Sequence, residues 1–127
     1  MANEVEFYFY ASCTSCRKAD AFLRSEGIPA IRRDIFKQRL NAREIRALFE
    51  RAGITVSEAL STRSRPYQDL DLADKNLSDD QIIELMADHP ALLRRPILVS
   101  KAGVLIGFNQ GAYEALPAAL SSTGEDR

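Results

Sequence analysis

The two cysteines of the sequence lie where a strand pattern gives way to a helix pattern. Apolar and polar residues alternate over Val5–Tyr10, which predicts a first strand. Apolar residues then recur at spacings of three and four over Thr14–Glu26, which predicts a helix ended by Gly27. Cys13 and Cys16 therefore form a CxxC motif between a strand and a helix, and few folds place two thiols in this way.

This position favours reactive sulfur. The first turn of a helix has backbone N–H groups without intrahelical partners and carries the positive end of the helix dipole. A thiolate, the reactive form of cysteine, is favoured there. Cys16 lies about one turn beyond Cys13, so the two sulfurs can face each other. We interpret Cys13 as a nucleophile and Cys16 as its resolving partner, and we expect Cys16, one turn inside the helix, to keep a more ordinary pKa than Cys13.

Two other roles remain open for this motif. The cysteines could be buried as small apolar side chains, or they could form half of a zinc site. Zinc usually takes four protein ligands in a structural site, and His89 is the one further soft ligand in the sequence. We therefore expect no metal site. His89 is better suited to a structural role at a helix end.

Composition limits the remaining possibilities. The 127 residues predict one domain, and a net charge of −1 does not favour direct binding to nucleic acid. No apolar stretch is long enough to span a bilayer, so no membrane association is expected. The acidic N-terminus lacks the pattern of a secretory signal. A CxxC motif without such a signal predicts redox chemistry in a reducing, cytoplasmic compartment.

The order of predicted elements indicates the fold. Ile28–Asp34 is a second strand, parallel to the first because a helix connects them. An all-helical insertion follows over about residues 41–92. Two apolar runs joined by a glycine-containing turn then predict a β-hairpin over 97–108, before a last helix. The order βαβ, insertion, ββα is that of an α/β, thioredoxin-like fold with a four-stranded mixed sheet. We assign residues 1–120 to this single domain and 121–127 to a flexible tail.

Polar residues around the CxxC motif are candidates for binding an anion. Ser12 and Thr14 flank Cys13 and can donate hydrogen bonds to an oxyanion or to a substrate. Arg17 lies four residues beyond Cys13, within reach of a thiolate, although an exposed helix face explains it equally well.

Two further arginine pairs occur in the chain. Arg63 and Arg65 lie in a predicted loop over Ser61–Pro66, and Arg94 and Arg95 precede Pro96. The loop before the third strand of this fold faces the start of the CxxC helix. We therefore expect the guanidinium of Arg95 to hold an oxyanion or a carboxylate. For the other three arginines, simple exposure remains as good an explanation.

Four stretches together resemble the arsenate reductase (ArsC)/Spx family over nearly the whole chain, and are most similar to its Spx branch. They are Ser12-Cys13-Thr14-Ser15-Cys16-Arg17-Lys18-Ala19, Ser61-Thr62-Arg63-Ser64, His89-Pro90-Ala91-Leu92-Leu93-Arg94-Arg95-Pro96-Ile97 and Gly107-Phe108-Asn109. The resemblance implies that Cys13 is the reactive cysteine and Cys16 its partner. It also implies a cis peptide bond before Pro96, which we count among the residues that bind an oxyanion or a substrate. It makes Arg63 or Arg65 a candidate for a second anion-binding arginine.

The resemblance implies two functions. The first is a small thiol-dependent reductase without a bound cofactor, acting on an oxyanion or a disulfide and re-reduced by glutaredoxin with glutathione or by thioredoxin. The alternative is a redox-sensing regulator that docks on the RNA polymerase α subunit through the helical insertion around Gly53. Glutaredoxin-dependent arsenate reductases use three arginines, and the last has no counterpart within Gly103–Phe108. We therefore expect thiol chemistry but doubt arsenate as the substrate.

Overall fold

A four-stranded mixed sheet is the framework of the protein. The computed structural model describes residues 5–124. The strands are β1 Glu6–Phe9, β2 Ile31–Asp34, β3 Ile97–Ser100 and β4 Gly103–Ile106, in the order β2-β1-β3-β4. β1 is parallel to β2 and antiparallel to β3, and β3 is antiparallel to β4. The predicted α/β fold with a mixed sheet is confirmed.

Helices account for most of the rest of the described chain. They are α1 Thr14–Ser25, α2 Ala42–Ala52, α3 Val56–Ala59, α4 Arg65–Asp69, α5 Asp79–Asp88, α6 Gln110–Glu114 and α7 Leu116–Gly124, with short 3-10 helices at Leu72–Asp74 and Pro90–Leu92. Among the described residues, no helix is long and apolar enough to cross a membrane.

The chain divides into two compact units, and the first contains the sheet. This sheet unit comprises Met1–Asp34 and Arg95–Arg127. Its core is built by alternate residues of the central strands, by residues three and four apart on α1, and by α6 and α7. The buried members are Val5, Phe7, Ala19, Leu23, Leu98, Tyr113, Leu116 and Leu120. Each large apolar side chain buried in this way stabilises the fold by about 1.5–3 kcal/mol.

The second unit, Ile35–Arg94, contains helices α2 to α5 and both 3-10 helices. Capping boxes at Asn41, Thr55 and Ser78 begin α2, α3 and α5, since each side chain accepts a backbone N–H from the third residue of its helix. α2 ends at Gly53, whose φ of 69° is left-handed. We call this part of the chain the helical unit.

One part of the helical unit differs from the prediction. Ser61–Pro66 was expected to be a loop, but Arg65 and Pro66 begin α4. Ser64 caps that helix by accepting the backbone N–H of Tyr67 at 3.4 Å. Proline early in a helix is favourable because the N–H it lacks has no intrahelical partner there. Arg65 is therefore helical, and Arg63 stays in the preceding turn.

The ends of the chain are only partly described. Helix α7 continues to Gly124, so it includes the first residues of the segment 121–127 that was expected to be flexible. Residues 1–4 and 125–127 lie outside the described residues.

Candidate active site

Cys13 is the N-cap of α1. Its sulfur accepts the backbone N–H of Cys16 at 3.2 Å, and its own N–H donates to the carbonyl of Tyr10 at 3.2 Å. The carbonyl of Cys13 accepts the first backbone hydrogen bond of the helix, from Arg17 at 3.0 Å. The turn that joins β1 to α1 thus holds a half-buried sulfur against an N–H donor, and this contact strengthens when the sulfur is negative.

Cys16 lies in a different environment from Cys13. It is 1% exposed, on the same face of α1 as the buried Ala19 and Leu23. Both cysteines are free thiols. Burial, and then the hydrogen bond with Cys13, raise the pKa of Cys16 to about 12. The expectation of a more ordinary pKa for Cys16 is therefore wrong, because local sequence does not show how completely α1 buries this residue.

Arg95 is fixed beside the end of β1. Its Nη2 donates to the hydroxyl of Tyr10 at 3.2 Å, and its guanidinium carbon lies 4.4 Å from the centroid of the Tyr10 ring. The Arg95–Pro96 peptide bond is cis, as predicted, and the carbonyl of Pro96 accepts the N–H of Gly107 at 2.8 Å. The positive charge of Arg95 lowers the pKa of Cys16, although by less than burial raises it. Arg95 therefore acts electrostatically on the buried cysteine of the CxxC motif, Cys16.

The other predicted residues near Cys13 lie at the surface. Ser12 and Thr14 are exposed on either side of it. Arg17 is also exposed, and its Nε donates to the carbonyl of Ala11 at 3.1 Å, which holds the side chain across the turn. Their predicted role in binding an anion stays a prediction.

A small cavity of about 160 Å³ opens beside this turn. Its lining consists of two aromatic residues, two charged residues, a small residue and the buried thiol: Phe9, Tyr10, Ala11, Arg17, Asp20 and Cys16. Asp20 accepts hydrogen bonds from Nε of Arg32 at 2.7 Å and Nε of Arg24 at 2.9 Å. Burial alone would raise the pKa of Asp20, but these hydrogen bonds outweigh it and the pKa is lowered. An ionised carboxylate therefore stands at the edge of the cavity.

Arg63 belongs to the helical unit. With Arg94 it lines a polar cavity of about 500 Å³, whose other walls are Ser57, Leu60, Ser61 and Thr62. Nη1 of Arg94 donates to the carbonyl of Glu58 at 3.4 Å. The predicted role of Arg63 in binding an anion stays a prediction.

Two residues of the site were not predicted. Tyr10 positions Arg95, and Tyr113 is a fully buried phenol in the core that lies beneath α1. Tyr10 could have been predicted, because it lies at the end of the strand that leads into the CxxC motif. Nothing in the sequence singled out Tyr113, since a tyrosine in a helix pattern cannot be distinguished from an ordinary core residue. In the described part of the chain, no three His, Cys, Asp or Glu side chains come together as metal ligands would.

The sequence model of the ArsC family matches residues 8–116. The chain belongs to the ArsC family. Curated relatives of this ArsC-family chain include the regulatory protein MgsR of Bacillus subtilis, 34% identical over 111 residues that cover 87% of this chain and 88% of the relative. Another is the global transcriptional regulator Spx of Enterococcus faecalis, 39% identical over 103 residues that cover 81% and 78% of the two chains.

Solved structures extend the comparison to a protein named as an arsenate reductase. An arsenate reductase from Vibrio cholerae superposes with a TM-score of 0.76 at 26% identity, over 94% of this chain and 99% of that one. The relatives of this ArsC-family protein thus include proteins named as regulators and proteins named as reductases.

Proposed function

We propose that this protein is a cytoplasmic thiol–disulfide oxidoreductase in which Cys13 is the nucleophile and Cys16 the resolving cysteine. The observation that carries the proposal is the pairing of the two thiols. A half-buried sulfur at the helix start accepts an N–H, and a buried thiol lies one turn behind it. A purely structural pair of buried cysteines would not leave one of the two only half-buried.

The first step is attack by the Cys13 thiolate on an oxidised sulfur or on an oxyanion. For a disulfide R–S–S–R′, the Cys13–sulfur bond forms, the S–S bond of the substrate breaks, and one thiolate leaves. The backbone N–H of Cys16, which donates to the sulfur of Cys13, favours the anionic sulfur. Arg95, fixed by Tyr10, is the residue we expect to steady the anionic group of a substrate.

The second step is attack by Cys16 on the sulfur of Cys13. The Cys13–Cys16 bond forms, the mixed disulfide breaks, and the second substrate thiolate leaves with the proton that Cys16 has lost. The substrate has then gained two electrons from the pair. A dithiol donor such as thioredoxin, or glutaredoxin with glutathione, returns them, and no bound cofactor is required.

Trapping of the mixed disulfide tests this proposal. With glutathione disulfide as the oxidant, the Cys16→Ser variant is expected to accumulate a glutathione adduct on Cys13, visible as a mass increase of the intact protein. Wild type should pass through the adduct to an internal disulfide, and Cys13→Ser should form neither. An adduct that accumulates equally in wild type, or thiol turnover by Cys13→Ser, would contradict the assignment.

A second function is supported by the regulators among the relatives, MgsR and Spx. In this alternative the CxxC motif is a redox switch, and the partner is the RNA polymerase α subunit. The helical unit around Gly53 would be the docking surface.

A pull-down separates the two functions. Tagged Cys16→Ser protein is incubated with reduced and with oxidised lysate, and the eluates are identified by mass spectrometry. RNA polymerase subunits would support the regulator, and they should be lost in an Arg51→Glu variant beside Gly53 but not in Lys101→Glu in the β3–β4 turn. Glutaredoxin, thioredoxin or scattered thiol proteins would support the enzyme.

A further inference from the structure

The hydroxyl of Tyr113 is an anomaly in the core of the sheet unit. The residue is 0% exposed, and its hydroxyl has no hydrogen-bond partner among the described residues. Its ring packs edge-on against Phe22, with centroids 5.9 Å apart, and at 5.0 Å against Phe108. Buried polar groups nearly always have a partner, and phenylalanine would fill the same space without the cost of burying a hydroxyl. The hydroxyl therefore calls for an explanation beyond packing.

Cys16 occupies the same interior. It lies on the face of α1 that also carries Ala19 and Leu23, and both of these belong to the core cluster of Tyr113. The phenol and the thiol are close enough for charge on Cys16 to act on Tyr113. Burial first, and the charge of Cys16 second, raise the pKa of Tyr113 well above its usual value. The phenol thus keeps its proton at neutral pH and remains a hydrogen-bond donor.

The resolving step creates a need for such a donor. Cys16 must become a thiolate in order to attack, yet it is buried where water does not solvate a negative charge. Once Cys13 is in a mixed disulfide, it no longer has a negative charge that opposes ionisation of Cys16. Burial then remains as the main obstacle. The groups that act on Cys16 are the side chain of Cys13, the backbone of Tyr10 and the charge of Arg95, and Arg17 and Asp20 line the same small cavity.

We propose that the hydroxyl of Tyr113 donates a hydrogen bond to the sulfur of Cys16 as the thiolate forms, and so accelerates the resolving step. The inference rests on the proposed function and adds a residue to it. Tyr113 keeps its own proton throughout. The proton of Cys16 passes to the departing substrate thiolate, and the Cys13–Cys16 bond forms as the mixed disulfide breaks.

A two-phase thiol assay with the full-length protein tests the inference. The aromatic disulfide DTNB reacts with Cys13 and releases one coloured thiolate, and closure by Cys16 releases the second. Stopped-flow absorbance follows both phases between about pH 6 and pH 10. In Tyr113→Phe the first phase should be unchanged. The second should slow by about tenfold or more, the size expected for loss of a hydrogen bond to a charged group, and its pH dependence should move to higher pH.

Two control variants separate this role from packing. Tyr67→Phe removes a hydroxyl in the helical unit and should leave both phases unchanged. Phe22→Leu loosens the packing around the Tyr113 ring but keeps the hydroxyl, so closure should stay within about twofold of wild type. Thermal denaturation of Tyr113→Phe should show a melting temperature no lower than that of wild type, since the substitution removes a buried polar group without a partner.

Two results would overturn the inference. One is closure in Tyr113→Phe at the wild-type rate with the wild-type pH profile. The other is closure slowed as much by Phe22→Leu as by Tyr113→Phe, since that would show that packing alone controls the rate. Failure of the proposed function gives a different result, because wild type would then release the first thiolate and not the second, or Cys13→Ser would still release one thiolate at the rate of the first wild-type phase.

Discussion

The thiols of Cys13 and Cys16 are chemically identical and lie one helical turn apart, but they differ in burial and in hydrogen bonding. Cys13 is half-buried against a backbone donor, whereas Cys16 is 1% exposed in the apolar interior. The order of attack follows from this contrast. Cys13 is the more accessible to a substrate and attacks first, and the buried Cys16 attacks the resulting mixed disulfide. Selectivity between the two thiols thus needs no further group.

Alkylation measures this contrast directly. Iodoacetamide at about pH 7 should label Cys13 well before Cys16, since burial excludes the reagent and raises the pKa of Cys16 to about 12. Peptide mapping by mass spectrometry gives the two rates. In urea-unfolded protein the rates should become similar. Equal labelling of both thiols in the folded protein would contradict their assigned roles.

Asp20 gives a prediction about pH and stability. Hydrogen bonds from Arg24 and Arg32 lower its folded-state pKa below the usual 3.8, so the unfolded chain binds the proton more tightly. Ionised Asp20 therefore stabilises the fold above about pH 4, and this stabilisation is lost as the pH falls through the folded-state pKa of Asp20. Asp20→Asn should lower the free energy of unfolding by about 1–2 kcal/mol at neutral pH, and by much less in acid.

Urea titrations of wild type and Asp20→Asn, at neutral pH and in acid, test this prediction. Asp80→Asn is the matched control, because Asp80 pairs with Arg46 at 3.2 Å while its side chain is 79% exposed. That substitution should cost less than about 0.5 kcal/mol at either pH. A loss for Asp20→Asn that is the same in acid and at neutral pH would show that the ion pairs do not cause it.

At the scale of elements, helix starts follow local chemistry. Asn41, Ser78 and Asn109 are of residue types that favour the N-cap position, and the side chain of each accepts the backbone N–H expected of a cap. Strand ends were less predictable. The strand predicted over Ile28–Asp34 begins only at Ile31, because its start depends on where β1 offers backbone partners and not on its own residues.

Two glycines in helical surroundings should respond oppositely to alanine. Gly53 ends α2 with a φ of 69°, so a Cβ there is strained even though no atom lies within 4 Å of it. Gly53→Ala should lower the free energy of unfolding by about 1–2 kcal/mol. Gly111 lies within α6, where a Cβ would meet Oδ1 of Asn109 at an ordinary 3.5 Å.

Gly111→Ala should therefore raise the free energy of unfolding by about 0.5–1 kcal/mol, since alanine restricts the unfolded chain more than glycine does. Chemical denaturation of both variants shows whether each substitution raises or lowers the free energy of unfolding. A loss of stability in Gly111→Ala as large as that in Gly53→Ala would show that backbone conformation does not decide these effects.

At the scale of the whole molecule, the order of elements was predictable and the long-range contacts were not. Periodicity indicated βαβ, an insertion and ββα, and the sheet confirms that order. The hydrogen bond between Arg95 and Tyr10 joins residues 85 positions apart, and no local pattern reports such a pair. Burial of Cys16 and Tyr113 likewise depends on the complete core, so the sequence predicted the reactive motif but not the environment that tunes it.

The substrate is also a property of the whole molecule, because a tetrahedral oxyanion needs donors from several parts of the chain. Since Gly103–Phe108 contains no arginine, arsenate should be a poor substrate. Each missing donor to a charged group costs about 1.5–3 kcal/mol of binding. An assay coupled to glutathione, glutaredoxin and NADPH oxidation should show little arsenate-dependent turnover above the rate of Cys13→Ser. Robust turnover by wild type would refute the prediction.

The central position of β1 has a consequence for the nascent chain. β1 pairs on one side with β2, which follows it closely, and on the other with β3, which is synthesised only after the entire helical unit. One edge of β1 therefore waits without its native partner while residues 35–94 emerge from the ribosome. Arg95 and the core residues that follow it arrive at the end of that interval, so Cys16 is translated long before the residues that complete the core around it. Burial of Cys16 is thus expected to mark a finished chain, and in ribosome-bound fragments that stop before residue 95 an alkylating reagent should label Cys16 faster than in the released protein.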